Sequence, residues 1–310
     1  MYHTIMQRTP MVEVSNLQVN FGQTPVVRDL SFRVERGQTM AFLGANGSGK
    51  TTTIRALLGI IEPNAGSLLI DGQPYRSDRS GMLGYLPEER GLYKKESVLA
   101  TMQYFGQLKG LSASAAREWS TTYLAQVEMS DLAKRRVETL SGGQQQKIQL
   151  GVTLIGNPSL LILDEPTKGF DPVNRKLLLD MVATHAKAGA TVILVTHQME
   201  EVERLCDSVL LLKDGRNYIS GDIDEVRRKF GEPIIDLEFQ GQLVEQAKSY
   251  RIKRRSGRQA ELELTAHADT AAVWRELAAQ PKLVVTRFEQ RMSRIDDIFL
   301  RIYQHDQETS

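Results

Sequence analysis

Cysteine is almost missing from this 310-residue chain: Cys206 stands alone, so no internal disulfide can form and a reducing compartment is the simplest setting. It ends a short amphipathic segment, where a buried structural thiol is expected rather than a reactive one. Excess charge is missing too. Lys and Arg total 39 against 38 Asp and Glu, a formal net charge of +1, so no bulk field draws in nucleic acid or anionic lipid. Long apolar runs are absent; the longest, residues 159–163 and 191–195, fall far short of the roughly 20 residues a membrane span needs. Work at a membrane would therefore need spans from another chain. The opening residues, Met1 to Met6, lack the charged-then-apolar layout of a secretory signal. No internal repeat or low-complexity tract stands out. Hydrophobic residues at 41% and charged residues at 25% are ordinary globular values, and the length favours two domains over one core.

The pattern alternates between strand-like and helix-like segments. Residues 11–43 hold short β-like runs broken by Gly22, Gly37 and Gly44. Residues 38–43 lead into a Gly-rich loop and residues 51–61 leave it, with Ile54, Leu57, Leu58 and Ile61 on one helical face. Residues 97–137 read as an inserted helical subdomain interrupted at Gly106 and Gly110. The apolar runs at 160–163 and 191–195 suit strands buried on both faces, with a helix at 174–188 between them, which predicts a doubly wound parallel sheet. Gly231-Glu232-Pro233 reads as a linker. Beyond it come a strand at 234–239, a helix-like stretch at 243–249 and a hairpin turning at Ser256-Gly257. A helix at 268–279 and a strand at 283–288 complete a small α+β domain.

The chemistry concentrates in three places. Gly44, Ala45, Asn46, Gly47, Ser48, Gly49, Lys50 and Thr51 lie between a strand and a helix, where glycines let backbone N–H groups converge on a phosphate. Lys50 suits the β- and γ-phosphates of a nucleoside triphosphate, and the Thr51 hydroxyl suits Mg²⁺. Asp164 and Glu165 close a buried strand at the sheet edge where such folds bind ligands. Asp164 is assigned to the metal and Glu165 to the attacking water. His197 follows the next strand and can donate to the γ-phosphate, whereas His3, His185, His267 and His305 read as surface or packing residues. Ser141 would cap the helix at 144–155, but Gly142 and Gly143 at its first turn weaken a helix unless something approaches closely. An anionic ligand fits. Because the first loop already surrounds the nucleotide of its own subunit, two facing copies reconcile the two phosphate-directed sequences.

Together these sequences resemble the nucleotide-binding subunit of ABC transporters over residues 11–230, with residues 231–310 as an accessory α+β domain. The resemblance implies a P-loop fold of ABC type with an antiparallel β subdomain and an inserted helical subdomain at about 97–137. It matches Gly44 to Thr51, with Thr52 following, to the Walker A loop and Leu140 to Gln144 to the signature motif. Leu160 to Glu165 match the Walker B strand with its catalytic glutamate, Asp171 the D-loop and His197 the switch histidine. Phe21 stands where the family places an aromatic ring on adenine, usually tyrosine. ATP and Mg²⁺ are the implied ligands, bound between the Walker A loop of one subunit and the signature (Ser141, Gly142, Gly143, Gln144) of the other.

Two further expectations follow from the resemblance. The family's Q-loop glutamine is replaced by Glu88, which adds repulsion near phosphates unless it contacts Mg²⁺ or water. The run Pro87-Glu88-Glu89-Arg90-Gly91-Leu92-Tyr93 and the C-terminal domain are similar to a branch of bacterial exporters with separate permease chains. That implies an ATP-hydrolysing homodimer at the inner face of the cell membrane, held there by its permease, with no specific nucleic acid. A soluble ATPase acting on nucleic acid or ribosomes is the competing reading, but such proteins generally carry two nucleotide units or long coiled-coil arms. A module that binds ATP without turnover is disfavoured by Glu165 and His197. The basic cluster Arg251, Lys253, Arg254, Arg255 and Arg258 reads first as a solvated strand face, and otherwise as a contact for anionic lipid or a partner.

Overall fold

The fold is that of a computed structural model, and the described residues are 9–74, 76, 81–89, 91–245 and 247–307, with side chains as far as 302. The opening residues with His3, Arg90 and the His305 side chain lie outside them. The chain divides into two compact units between Gly221 and Asp222.

In the first unit, β1 (Val12–Phe21) pairs antiparallel with β2 (Thr24–Val34) on one side and β4 (Ala65–Ile70) on the other. Val12, Val14, Leu17 and Val19 alternate inward and meet Val27, Leu30, Phe32 and Val34, so this three-stranded sheet buries one face. The larger sheet has the order β5-β6-β7-β3-β8-β9, with β3 (Thr39–Leu43), β5 (Leu83–Leu86), β6 (Leu160–Asp164), β7 (Thr191–Val195), β8 (Ser208–Lys213) and β9 (Arg216–Asp222). Its strands from β5 to β8 run parallel, and every residue of β3, β6 and β7 is buried. The expected doubly wound α/β core with an antiparallel β layer is present.

Local sequence explains the helix limits. The first helix, α1 (Lys50–Leu57), stops short of Ile61 because Gly59 takes the left-handed conformation (φ 66°) that ends helices. Ser97 and Ser112 cap α2 (Val98–Leu108) and α3 (Ala113–Gln126) by accepting from the N–H groups of Ala100 and Ala115. Gly106, expected to interrupt, lies inside α2. Its bare Cα admits α3, since a Cβ there would sit 2.8 Å from the Cβ of Ala116. The signature segment opens α4 (Gly142–Leu154), and α5 (Pro172–Lys187) starts earlier than expected because Asp171 caps it and proline fills its first position. The short α6 (Met199–Leu205) ends at Cys206, which is half-buried against the core with its thiol pushed up in pKa by burial.

The second unit is α+β. Its sheet, ordered β11-β12-β10-β13, is antiparallel and comprises β10 (Pro233–Gly241), β11 (Tyr250–Ser256), β12 (Gln259–Leu264) and β13 (Leu283–Met292). Ile235, Leu237, Phe239, Tyr250 and Leu262 pack with Val273 and Leu277 of α8 (Thr270–Ala278). Two helices go beyond the sequence pattern: α7 (Ile223–Phe230), capped by Asp222, and α9 (Ile295–Gln307). Gly231-Glu232-Pro233 is therefore no free linker; the Glu232 N–H donates to Ser293 Oγ and Ser293 Oγ donates to the Glu232 carbonyl, each at 2.9 Å. The helix expected at 243–249 is absent among its described residues. Its backbone is served by side chains instead: Gln280 accepts from the Val244 N–H and Glu276 from those of Lys248 and Ser249. The basic cluster is largely paired within the unit. Lys253 meets Glu263 at 3.1 Å and Asp297 at 2.9 Å, Arg254 lies 3.8 Å from Asp296, and Arg255 lies 3.7 Å from Glu245.

The α2–α3 contact gives the first prediction. Gly106→Leu should lower stability by about 1–3 kcal/mol through overpacking against Ala116. The urea midpoint should fall with an unchanged slope.

Candidate nucleotide site

Four neighbouring strands deliver the predicted residues to one edge of the sheet. β3 runs into the Gly-rich loop, β5 leads to Glu88, β6 ends in Asp164 and Glu165, and β7 leads to His197. Their loops border a cleft of about 550 Å³ lined by Asn46, Gly47, Gly49, Lys50, Thr51 and Thr52, with Glu88, Asp164, Glu165 and His197 opposite. Gly47 (φ 81°) and Gly49 (φ 101°) take backbone conformations that side-chain-bearing residues disfavour. A Cβ on Gly49 would also press on the Val26 carbonyl at 3.1 Å.

Charge is packed tightly here. The buried Lys50 ammonium donates to the carbonyls of Gly44 (2.8 Å) and Ala45 (3.0 Å). Burial lowers its pKa, opposed by Glu165, Asp164 and Glu88. The Thr51 hydroxyl lies 3.4 Å from Asp164 Oδ2, and burial followed by the Glu88 charge raises the Asp164 pKa. Glu165 is pushed up to about 7, chiefly by burial and then by Asp164, Glu201 and Glu88. It holds a left-handed backbone (φ 50°), fixed by its N–H to the Val195 carbonyl at 2.8 Å and its carbonyl to the Lys168 N–H. His197 Nε2 lies 3.4 Å from Glu165 Oε1, out of hydrogen-bond alignment, so that buried oxygen has no hydrogen-bond partner. Burial, then Lys50, lowers the His197 pKa.

The donors fit Mg²⁺. A hydroxyl and a carboxylate are hard oxygen ligands, and Mg²⁺ usually needs only one or two protein carboxylates besides phosphates and water. Among the described residues no group of three or more His, Cys, Asp or Glu could hold a metal ion by itself. Glu88 lines the same cleft, and its carboxylate pairs with Lys168 at 2.5 Å.

Other predicted residues stand outside the cleft lining. Phe21 is exposed at the end of β1. Ser141 caps α4 and forms a capping box with Gln144, while Ser141 and Gly142 are exposed. Gly143 has room for a Cβ, whose nearest neighbour would be Phe170 at 3.7 Å, so packing inside this chain does not require glycine there. Asp171 accepts from the N–H groups of Val173 and Asn174, which lowers its pKa. His185 bonds to the Met181 carbonyl four residues back and His267 is exposed, the structural roles expected.

Sequence reasoning missed Thr167, Lys168, Thr196 and Glu201. Glu201 is 1% exposed, and its carboxylate accepts from Thr196 Oγ1 at 2.8 Å and from Thr167 Oγ1. An acidic residue four positions after His197, on the helix following a sheet-edge loop, was the available signal.

A Gly-rich loop between a parallel strand and a helix, with acidic residues at the neighbouring strand end, defines a P-loop nucleotide-binding protein. The comparisons narrow the class. The family described as ABC transporter matches residues 27–168, and the ATP-binding protein DrrA1-3-like C-terminal domain matches residues 221–303. An uncharacterized ABC transporter ATP-binding protein of Methanocaldococcus jannaschii is 39% identical over 78% of this chain and 88% of its own length. The Nod factor export ATP-binding protein I of Ralstonia nicotianae is 36% identical over 74% of this chain and 73% of its own. A solved ATP binding subunit of an ABC transporter superposes with a TM-score of 0.67 at 30% identity, covering 71% of this chain and 93% of that one. The chain belongs to the ATP-binding proteins of ABC transporters, a family that binds and hydrolyses ATP, usually with Mg²⁺.

Lys50→Ala removes the one cation held by the loop's own carbonyls. ATP affinity measured by calorimetry should fall about ten- to a hundredfold, the loss expected for a charged hydrogen bond.

Proposed function

We propose that this chain is the ATP-hydrolysing subunit of an exporter, working as a pair of identical copies beneath a separate membrane permease at the inner face of the membrane. Lys50 and the loop N–H groups bind the β- and γ-phosphates, and Phe21 offers its ring to the adenine. Thr51 and Asp164 hold Mg²⁺, which when bound neutralises phosphate charge. Glu165 orients the attacking water and takes its proton, while His197 donates to the γ-phosphate. Ser141, Gly142, Gly143 and Gln144 of the second copy close the site, with Asp171 near that contact.

One observation carries the two-copy reading. Ser141 and Gly142 are exposed at a helix start outside the cleft, and Gly143 is not a packing requirement of its own chain. An exposed glycine at a helix start, followed by a second that its own chain does not need, suits a phosphate arriving from elsewhere. Likeness to a Nod factor export protein and to exporters in the 87–93 run supports export over import. No helix among the described residues is long and apolar enough to cross a membrane; in this reading a permease supplies the path.

Complementation tests the pairing. Ser141→Arg should bind ATP but lose hydrolysis, and so should a Lys50→Ala chain lose it. Mixing the two should restore part of the activity, because one mixed site joins an intact loop to an intact signature. Full hydrolysis by Ser141→Arg alone would sink the two-copy site.

Glu165→Gln tests the chemistry. It should keep ATP binding, lose about 10²–10⁴-fold in turnover, and accumulate as an ATP-bridged pair on size-exclusion chromatography. Near-normal turnover would remove Glu165 from the role of base.

A further inference from the structure

The least accessible carboxylate near the cleft is not one of the groups that face it. Glu201 is 1% exposed, Thr196 is 1% exposed and Thr167 is 3% exposed. One carboxylate oxygen of Glu201 accepts from Thr196 Oγ1 at 2.8 Å, and Thr196 Oγ1 itself accepts from the Gln198 N–H at 3.0 Å. The other oxygen accepts from Thr167 Oγ1. Thr167 lies two residues after Glu165, and Thr196 directly precedes His197. One buried side chain thus grips both loops that bring the base and the histidine to the cleft.

We infer that Glu201 is a positioning residue: its carboxylate locks the loop behind Glu165 to the loop carrying His197, so that both are held in one geometry. This rests on the proposed ATPase reading for its consequence, though not for the contacts themselves. Burying a carboxylate is unfavourable unless its hydrogen bonds are made, and hydroxyls from two different loops make them here. The Glu165 backbone needs such support, being left-handed and held by the Val195 carbonyl across the sheet. The same loop is also tied to α4, because Gln146 Nε2 donates to the Pro166 carbonyl at 3.2 Å. A chain of hydrogen bonds thus runs from α4 to the loop carrying Thr167 and through Glu201 to the loop carrying His197. A plainer role exists, since Glu201 sits in the first turn of α6 and its removal could merely loosen that short helix.

The two roles separate by experiment. In full-length Glu201→Ala, kcat should fall about tenfold or more, as expected when reacting groups are misplaced, while ATP affinity by calorimetry stays within about twofold. Amide hydrogen exchange without nucleotide should speed up at residues 165–170 and 196–198 and stay unchanged in β3. Thr167→Val should reproduce part of both effects, and Thr167→Ser, which keeps the hydroxyl, should restore them. Should Glu201→Ala fail to fold, Thr167→Val and Thr196→Val each remove one leg of the tether and are read in the same way. Unchanged exchange in both loops, exchange raised throughout the unit, or kcat retained in a folded variant would overturn the proposal. Were the unaltered chain to show no Mg²⁺-dependent hydrolysis, the ATPase reading would fall, and exchange alone would decide whether the tether exists.

Discussion

Lys50 is an ammonium with little access to water, resting on two carbonyls of the loop that precedes it. Such a charge is sustained only where dipoles and counter-charges surround it. The Gly44 and Ala45 carbonyls supply the dipoles, and Asp164, Glu165 and Glu88 supply the field that opposes deprotonation. The reverse also holds: Lys50 restrains the upward pull of burial on Asp164 and Glu165. Lysine, carboxylates and loop are therefore one electrostatic unit. Polyanionic phosphate and Mg²⁺ bring charge of both signs to a place arranged to accept both.

The sheet sets the spacing of that unit. Register fixes Phe42 beside Val195 and Asp164 beside Val195, so the ends of β3, β6 and β7 lie in step. Short, fully buried parallel strands leave little freedom to slip, because their side chains fill both faces. Asp164 thus ends a core strand and Lys50 opens the helix after β3, while Glu88, Glu165 and His197 are carried by loops whose roots the core fixes.

How much of this was legible depended on how local each signal was. The phosphate loop, the acidic strand end and the buried runs at 160–163 and 191–195 declare themselves in a few consecutive residues. So did the α/β class, because strand and helix periods alternate plainly. Gly106 misled because glycine within a helix looks like a break until Ala116 is seen against it. Residues 243–249 misled because their composition suits a helix, yet Glu276 and Gln280, distant in sequence, serve the backbone instead. Glu201 could not be read at all as a tether, since Thr167 and Thr196 meet it only after the fold forms.

Glu88, expected from the resemblance to stand in place of a glutamine, meets its counter-charge on the same loop. A carboxylate facing the cleft would repel phosphate, yet Lys168 lies 2.5 Å away and supplies the opposite charge. Both side chains are substantially exposed, so the pair adds little to stability. Its effect lies in the local field: Lys168 supplies a positive charge beside the Glu88 carboxylate, yet the Glu88 charge is still felt at Asp164 and Glu165, whose pKa values it helps to raise. Lys168 belongs to the segment tied to Glu201 through Thr167 and anchored to Glu165 through its own N–H. The cation paired with Glu88 is therefore held by the same backbone as Glu165, the proposed base, and a change at one is expected to be felt at the other.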